Sequence, residues 1–522
     1  MFSFRIDYFF CKSVVFKVLR SGNTAGIARN TLLLYIRMAV VMLVSLYTGR
    51  VVLNVLGVAD YGVYNVVSGI VVLFSFLNTA LSNSSQRYLS ITVAEGDKAG
   101  IENTFSVCLA LHLMLAAVIL ALCETVGLYY VRHYLSVPEG KEQLAVVTFH
   151  LAVAATCANV LRVPFYAVLI SFENMSAVAY LSILEAVLKL GGVLLLPFIP
   201  GEKLIIYSLT LVVVYVLVLL FFAAFSLIRY RIALRRVSDW RLLREFTGFS
   251  GWNMLGGVAD VTYQQGTNLL INHFCGVTVN AAVGIMNQVR TAIYSFVYNM
   301  QLAANPQIIK SYSSGDLQWF YSLISLVSRA GYALMLMMGL PMILNMSYVL
   351  DLWLVSVPEY AVQFCRLILV FCIVDSLTGP LWVAMQASGK ISFYTLATGF
   401  VVLLNLPFSY VALKAGCEPE IVYLIQIGLC FISLIIKLLF VQSKVGLSLA
   451  AFFKEVILPL LAVTVISVSS AWFAGFCPYG ILRLLITLLV SFLSVSASMF
   501  YIGLKPVERL ALKAKIRSWL RR

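Results

Sequence analysis

Apolar runs long enough to cross a bilayer follow one another almost without pause from residue 31 to residue 503. A membrane-spanning helix needs about 20 mostly apolar residues. The chain offers about fourteen such stretches, from 31–56 and 62–87 through to 452–474 and 480–503. Backbone placed in hydrocarbon must satisfy its own hydrogen bonds, so segments of this length are helices. Only 11% of the 522 residues are charged, against roughly 25% in a soluble globular protein. The fold class expected is therefore an all-α polytopic membrane protein rather than a string of soluble domains.

The net charge of +15 does not read as a nucleic-acid surface, because the basic residues gather at the ends of apolar spans. The 229–246 connection holds Arg229, Arg231, Arg235, Arg236, Arg241 and Arg244, and the 505–522 tail is equally basic. Loops on the opposite side offer only Arg132, Lys141, Lys203 and Lys414. The positive-inside rule then places both termini in the cytoplasm, which an even number of spans permits. Residues 1–29 do not form a signal peptide, since Lys12 and Lys17 break the apolar run. They read as a basic cytoplasmic segment, either on anionic headgroups or flexible. Ten scattered cysteines without a Cys-x-x-Cys spacing read as reduced, apolar filling, and no metal or cofactor is expected.

Two of the spans carry the same polar stripe. Tyr61, Asn65, Ser68, Ser75, Thr79, Ser82 and Gln86 recur at steps of 3, 4 or 7, and so do Asn280, Gly284, Asn287, Tyr294, Tyr298, Gln301 and Asn305. Corresponding members lie 219 positions apart. Such steps put each row on one side of a helix. A polar row has no partners among acyl chains, so it should face protein or a water-filled passage. Residues 57–97 align on 276–316 without gaps, and Pro164 and Ser176 pair with Pro380 and Ser392. Two parallel six-helix repeats are expected, because an even number of spans returns the chain to the same side. The boundaries are an N-terminal segment 1–29, an N-lobe 30–228, a basic linker 229–246, a C-lobe 247–442, an extra helix pair 443–504 and a basic tail 505–522. Pro164 and Pro380, at matched places, are hinge candidates or plain packing kinks.

Charges inside spans are costly, and those that persist usually face an interior. The bases are Arg37, Arg50, Arg162, Lys189, Arg290, Arg329, Arg366 and Lys437; the acids are Glu124, Glu185, Asp260 and Asp375. Arg50, Glu124 and Arg366 lie near span ends and can snorkel. Glu185 and Lys189, four apart with Glu first, read as an internal helix pair. The substrate-binding candidates are Arg37, Arg162 and Arg290 with Asn65, Ser68, Asn287, Tyr294, Tyr298 and Gln301. Asp260 and Asp375 could carry a coupling ion or neutralise an arginine. An interior with excess positive charge suits an anion, and arginine's planar fork suits phosphate.

Leu56-Gly57-Val58-Ala59-Asp60-Tyr61-Gly62-Val63-Tyr64-Asn65, after Arg29-Asn30-Thr31 and Gly49-Arg50 and before Gln86-Arg87-Tyr88, resembles the start of polysaccharide and O-antigen flippases. These belong to the multidrug/oligosaccharidyl-lipid/polysaccharide (MOP) exporter superfamily. The resemblance implies two six-helix lobes around a V-shaped cavity. It also implies a bacterial inner-membrane transporter, not an enzyme, that flips polyprenyl-pyrophosphate-linked oligosaccharide for surface polysaccharide by alternating access. The partners implied are that substrate, membrane lipids and other polysaccharide assembly proteins. A cation-coupled multidrug exporter of the same superfamily is the alternative; Arg37 in place of a first-span carboxylate weighs against it. A membrane polymerase or ligase is disfavoured by short loops and the lack of a catalytic cluster.

Overall fold

A computed structural model describes residues 24–72, 76–135, 137, 140–172, 174–235, 240–389, 392–473, 478–506, 508–510 and 513. The expected N-terminal segment before Thr24, the far C-terminal tail and the side chain of Asp260 lie outside the described residues.

All regular structure among the described residues is helical. The first half comprises α1 (Thr24–Val72), α2 (Phe76–Glu95), α3 (Lys98–Leu122), α4 (Leu128–His133), α5 (Glu142–Ser171), α6 (Met175–Leu195) and α7 (Lys203–Tyr230). A π-helical turn, Cys123–Gly127, joins α3 to α4. The second half begins with α8 (Trp240–Ser313), α9 (Leu317–Leu344), α10 (Met346–Trp353), α11 (Ala361–Asp375) and α12 (Gly379–Ser388). It continues through α13 (Ser392–Leu403), α14 (Asn405–Lys414) and α15 (Ile421–Val445). The C-terminal pair is α16 (Leu449–Phe452) leading into α17 (Leu458–Phe473), and α18 (Ile481–Ser498).

Among the described residues, twelve helices are long and apolar enough to cross a membrane. Two of them contain a glycine with non-helical backbone, Gly57 (φ 75°, ψ 170°) and Gly276 (φ 81°, ψ 179°). Twelve is roughly consistent with the expected number of about fourteen spans. The two glycines are repeat equivalents, and an L-side chain is strained at their φ. The equivalence continues along the chain. Gly96 (φ 72°) and Gly315 (φ 76°) each precede an aspartate that caps the next helix. Asp97 accepts from Ala99 N and Gly100 N at 3.0 and 2.9 Å, and Asp316 from Trp319 N at 3.1 Å. Such caps satisfy amides that the first helical turn leaves without partners.

The matched prolines do different work. Pro164 is buried inside a continuous α5. Pro380 begins α12, after the chain breaks between Asp375 and Gly379. Proline lacks the amide that an interior turn needs, whereas a first turn leaves that amide free anyway.

In the first half α5 packs on α7, α3 and α2, and α1 on α6 and α5. In the second half α8 packs on α9, α11, α12 and α13, and α15 covers α11 to α14. Contacts of α1 and α2 with α8 close the seam between them. Phe105, Phe149, Val63 and Val67 are fully buried, as are Ile285, Phe364 and Leu369. Large apolar side chains such as Phe221, Leu461 and Phe492 stay exposed, as a helix bundle solvated by acyl chains requires.

The C-terminal pair is fastened to α9 by a charge. Arg329, 1% exposed, donates to Ser325 O at 3.2 Å, to Gly503 O, and to Glu508 Oε1 at 2.7 Å. Glu508 Oε2 accepts from Lys505 N at 2.7 Å, and Lys505 Nζ pairs with Glu455 at 2.7 Å. Tyr332 and Thr464 add a 2.8 Å hydroxyl contact between α9 and α17. Removing one partner of a buried ion pair strands the other. Arg329→Ala should therefore cost on the order of 3 kcal/mol of stability, read as a lowered unfolding temperature in detergent. A single-residue change of an exposed lipid-facing leucine such as Leu461→Ala should leave that temperature nearly unchanged.

Candidate functional site

Four helices of the first half surround a cavity of about 270 Å³. Helix α1 contributes Arg37, Val41 and Ser45, one residue per turn along a single face. Arg162 and Tyr166 come from α5, Ser182, Glu185, Ala186 and Lys189 from α6, and Phe222 from α7. At about 30 Å³ per water the space equals about nine waters. A phosphate-sized group fits there.

Glu185 stands between two cations. Its Oε2 accepts from Arg162 Nη1, and its Oε1 accepts from Lys189 Nζ at 2.7 Å. Lys189 also donates to Tyr215 Oη at 3.2 Å, with its Nζ 4.5 Å from the centre of that ring. The Arg162 guanidinium lies 5.5 Å from the centre of Phe222. Arg37 makes no ion pair among the described residues. Three cations thus face one carboxylate, and the wall carries a formal excess of two positive charges. The side chains of Arg162, Glu185 and Lys189 are 22%, 17% and 27% exposed, so little water screens them.

A second cluster forms in the other half. Arg290 and Tyr294, one turn apart on α8, meet the end of α11. Tyr294 Oη donates to Asp375 Oδ2 at 2.9 Å, and Thr378 Oγ1 donates to Oδ1 at 3.1 Å. The Arg290 guanidinium sits 5.6 Å from the centre of the Phe371 ring. No ion pair within 4 Å joins Arg290 to Asp375. Neither Asp260 nor any pairing it makes is among the described side chains.

The stripes divide between packing and exposure. Asn65 Nδ2 donates to Asn280 O at 3.0 Å and to Asn268 Oδ1 at 3.4 Å across the α1–α8 seam. Gln288 Nε2 donates to Tyr61 Oη at 2.6 Å. Gln301 Nε2 donates to Ser376 O at 2.7 Å, holding α8 to the break before Pro380. Asn287 and Tyr298 are exposed, and Ser68 is half-buried on α1. Glycines allow the seam its closeness: a Cβ on Gly62 would lie 1.9 Å from Val277 O, and one on Gly284 2.9 Å from the Tyr61 ring. Close approach through small residues with polar side chains as glue is how helices associate where no hydrophobic drive exists. Towards the Gly57 and Gly276 kinks, Trp353 Nε1 donates to Leu46 O at 2.8 Å and Arg50 Nη1 to Leu352 O at 3.3 Å. At the opposite end Tyr88 stacks on Phe246, centroids 4.1 Å apart.

The structure thus brings Arg37 and Arg162 into one cavity and sets Arg290, Tyr294 and Asp375 together elsewhere. Reasoning from sequence left out Lys189, which its pairing with Glu185 had explained as helix geometry. A third cation one helix away was the missing information. Asn268 shares a helical face with Asn253, Asp260 and Gln264 in the sequence, but nothing there told that it meets Asn65; Gln288 carried no periodic signal of its own.

No protein-family model and no curated protein matches the chain. Solved structures do. An inward-facing multidrug resistance MATE transporter of the MOP superfamily is similar at 15% identity and TM-score 0.63, over 80% of this chain and 99% of its own. The lipid II flippase MurJ, in an inward closed conformation, is similar at 12% identity and TM-score 0.69, over 91% of this chain and 99% of its own. The fold is that of the MATE and MurJ transporters. A Pyrococcus furiosus MOP superfamily transporter, described by the reverse polarity of its binding pocket, shares this MATE/MurJ fold with the chain at 14% identity, TM-score 0.61, over 84% and 98% of the two chains.

The seam yields a test. In a variant lacking native cysteines, Asn65→Cys should resist a membrane-impermeant maleimide. Adding Gly62→Val, whose side chain has no room beside Val277 O, should raise its labelling rate severalfold.

Proposed function

We propose that the chain is a transporter that flips polyprenyl-pyrophosphate-linked oligosaccharide across the bacterial inner membrane for surface polysaccharide synthesis. The observation that carries this reading is the excess positive charge of the cavity formed by Arg37, Arg162 and Lys189 against Glu185. Uncompensated cations in an apolar bundle are costly, and an anionic ligand offsets that cost. Arginine forks and a lysine match phosphate oxygens with charge-assisted hydrogen bonds. A cavity of this size takes the phosphate groups, while the sugars lie outside it and the polyprenyl tail stays in lipid.

The fold supports transport rather than catalysis. Two halves joined along a seam of hydrogen bonds and glycine contacts can part at one end and close at the other, which is alternating access. The basic 229–246 connection, with Arg229, Arg231 and Arg235 among the described residues, supports cytoplasmic termini. MurJ, whose structure is described as a lipid II flippase, covers more of the chain than either of two MATE structures does. The pocket of the Pyrococcus furiosus protein is a precedent for this fold carrying reversed polarity.

A second reading, a cation-coupled multidrug exporter, is favoured by Asp375. Its carboxylate is held by two hydroxyls and has no cation within 4 Å among the described residues.

Deletion of the protein in its host should trap lipid-linked repeat units on the inner leaflet and remove surface glycan. Arg37→Gln and Arg162→Gln should each lower glycan export about tenfold or more, the effect of one lost charge-assisted hydrogen bond of about 1.5–3 kcal/mol, with protein levels in the membrane unchanged. Full export in both variants would sink the reading. Unchanged glycan together with new sensitivity to cationic dyes, reproduced by Asp375→Asn, would establish the exporter instead.

A further inference from the structure

We infer that Glu185 is a resident counter-anion that the diphosphate of the substrate must displace, so that Glu185 sets how readily the substrate is let go. The inference rests on the reading of the cavity as an anion site. It concerns a residue that does not attract the ligand at all.

The geometry carries it. Each oxygen of Glu185 is engaged by a different cation, Arg162 from α5 and Lys189 from the next turn of α6. Both cations also line the cavity, so the faces that would grip a phosphate are the ones the carboxylate holds. Arg37, across the cavity on α1, has no such partner among the described residues. An entering diphosphate therefore meets Arg37 unopposed and must compete for the other two. When it wins, Arg162 and Lys189 keep their aromatic supports, Phe222 at 5.5 Å and Tyr215 at 4.5 Å, and neither has to leave the wall. Glu185 is left facing the ligand with like charge, which pushes toward release.

The charge count agrees. Three cations and one carboxylate leave an excess of two positive charges, which a diphosphate diester with its two negative charges cancels. Without Glu185 the occupied cavity would keep one unbalanced positive charge in a poorly screened site and hold the anion harder. Binding that is merely tighter does not speed transport, because the step that follows is departure. A flat helix pair between Glu185 and Lys189 alone would not predict this; the approach of Arg162 from another helix, with the cavity between them, does.

The experiment measures binding of farnesyl diphosphate, and separately of inorganic pyrophosphate, to the full chain in lipid nanodiscs, together with glycan export in cells. Glu185→Gln keeps the shape and a hydrogen-bonding end while removing the charge. It should bind both probes about tenfold more tightly, as expected when a like charge is removed from a weakly screened site, and should export more slowly. Arg162→Gln and Arg37→Gln should bind both more weakly. If wild type binds and the arginine variants weaken it, but Glu185→Gln binds equally or less tightly, the displacement idea is wrong and Glu185 only pins α5 to α6. If wild type binds neither probe, or the arginine variants bind as wild type does, the anion-site reading itself falls. Should Glu185→Gln fail to fold, Glu185→Asp, whose shorter reach cannot serve both cations, decides: about threefold tighter binding is expected, and no gain overturns the inference. Farnesyl diphosphate binding far more tightly than pyrophosphate identifies the lipid-linked form as the ligand; equal affinity overturns that assignment in favour of a free diphosphate.

Discussion

Hydrocarbon offers no partner to a polar group, and that constraint governs the polar side chains inside the spans. Three solutions are visible. Arg329 is sealed completely and saturated with acceptors. Asn65 and its partners bridge two helices. Arg37, Arg162 and Lys189 remain around open space with only one carboxylate among them. Of these three, only the last leaves cations in excess; Arg290, which also has no carboxylate within 4 Å among the described residues, lies against Phe371. Arg329 and Arg37 thus differ in their surroundings: the first is saturated with acceptors, and the second makes no ion pair among the described residues. Both are arginines in the middle of an apolar helix.

The seam between the halves obeys a related rule. With lipid as apolar as leucine, helices gain little from hiding leucines against each other. They associate by approaching closely and by sharing hydrogen bonds. Gly62 against the Val277 carbonyl provides the first, and Gln288 with Tyr61 and Asn65 with Asn280 the second. Contacts of this kind are individually modest and can be exchanged for water when the surfaces part. A leucine zipper of the same length could not be. A seam built from amides and glycine contacts is held less firmly than a hydrophobic core of the same length, and Gly57 and Gly276 kink its two helices at equivalent positions.

The C-terminal pair belongs mechanically to α9. The Arg329–Glu508 pair and the Lys505–Glu455 pair tie the chain after α18 to α9 and to the turn before α17. Any movement of α9 must carry this pair with it or break a buried ion pair.

Much of this was open to reading in the sequence, and for a definable reason. Apolar length fixes spans because the bilayer has a fixed thickness, and the 219-residue offset fixes equivalences because identical turns need identical glycines and caps: Gly57 with Gly276, Asp97 with Asp316. Periodicity also placed the stripes on helix faces. It could not say what those faces meet, since a row of amides serves equally well against water or another helix. Tertiary structure turned Asn65 and Gln301 into packing groups and left Asn287 and Tyr298 exposed. It also converted Glu185–Lys189 from a pair within one helix into part of a three-cation wall, because Arg162 arrives from the preceding helix and Arg37 from α1, remote in sequence. Spacing along a helix is local and can be read from the chain; which helices stand side by side is decided only when they pack.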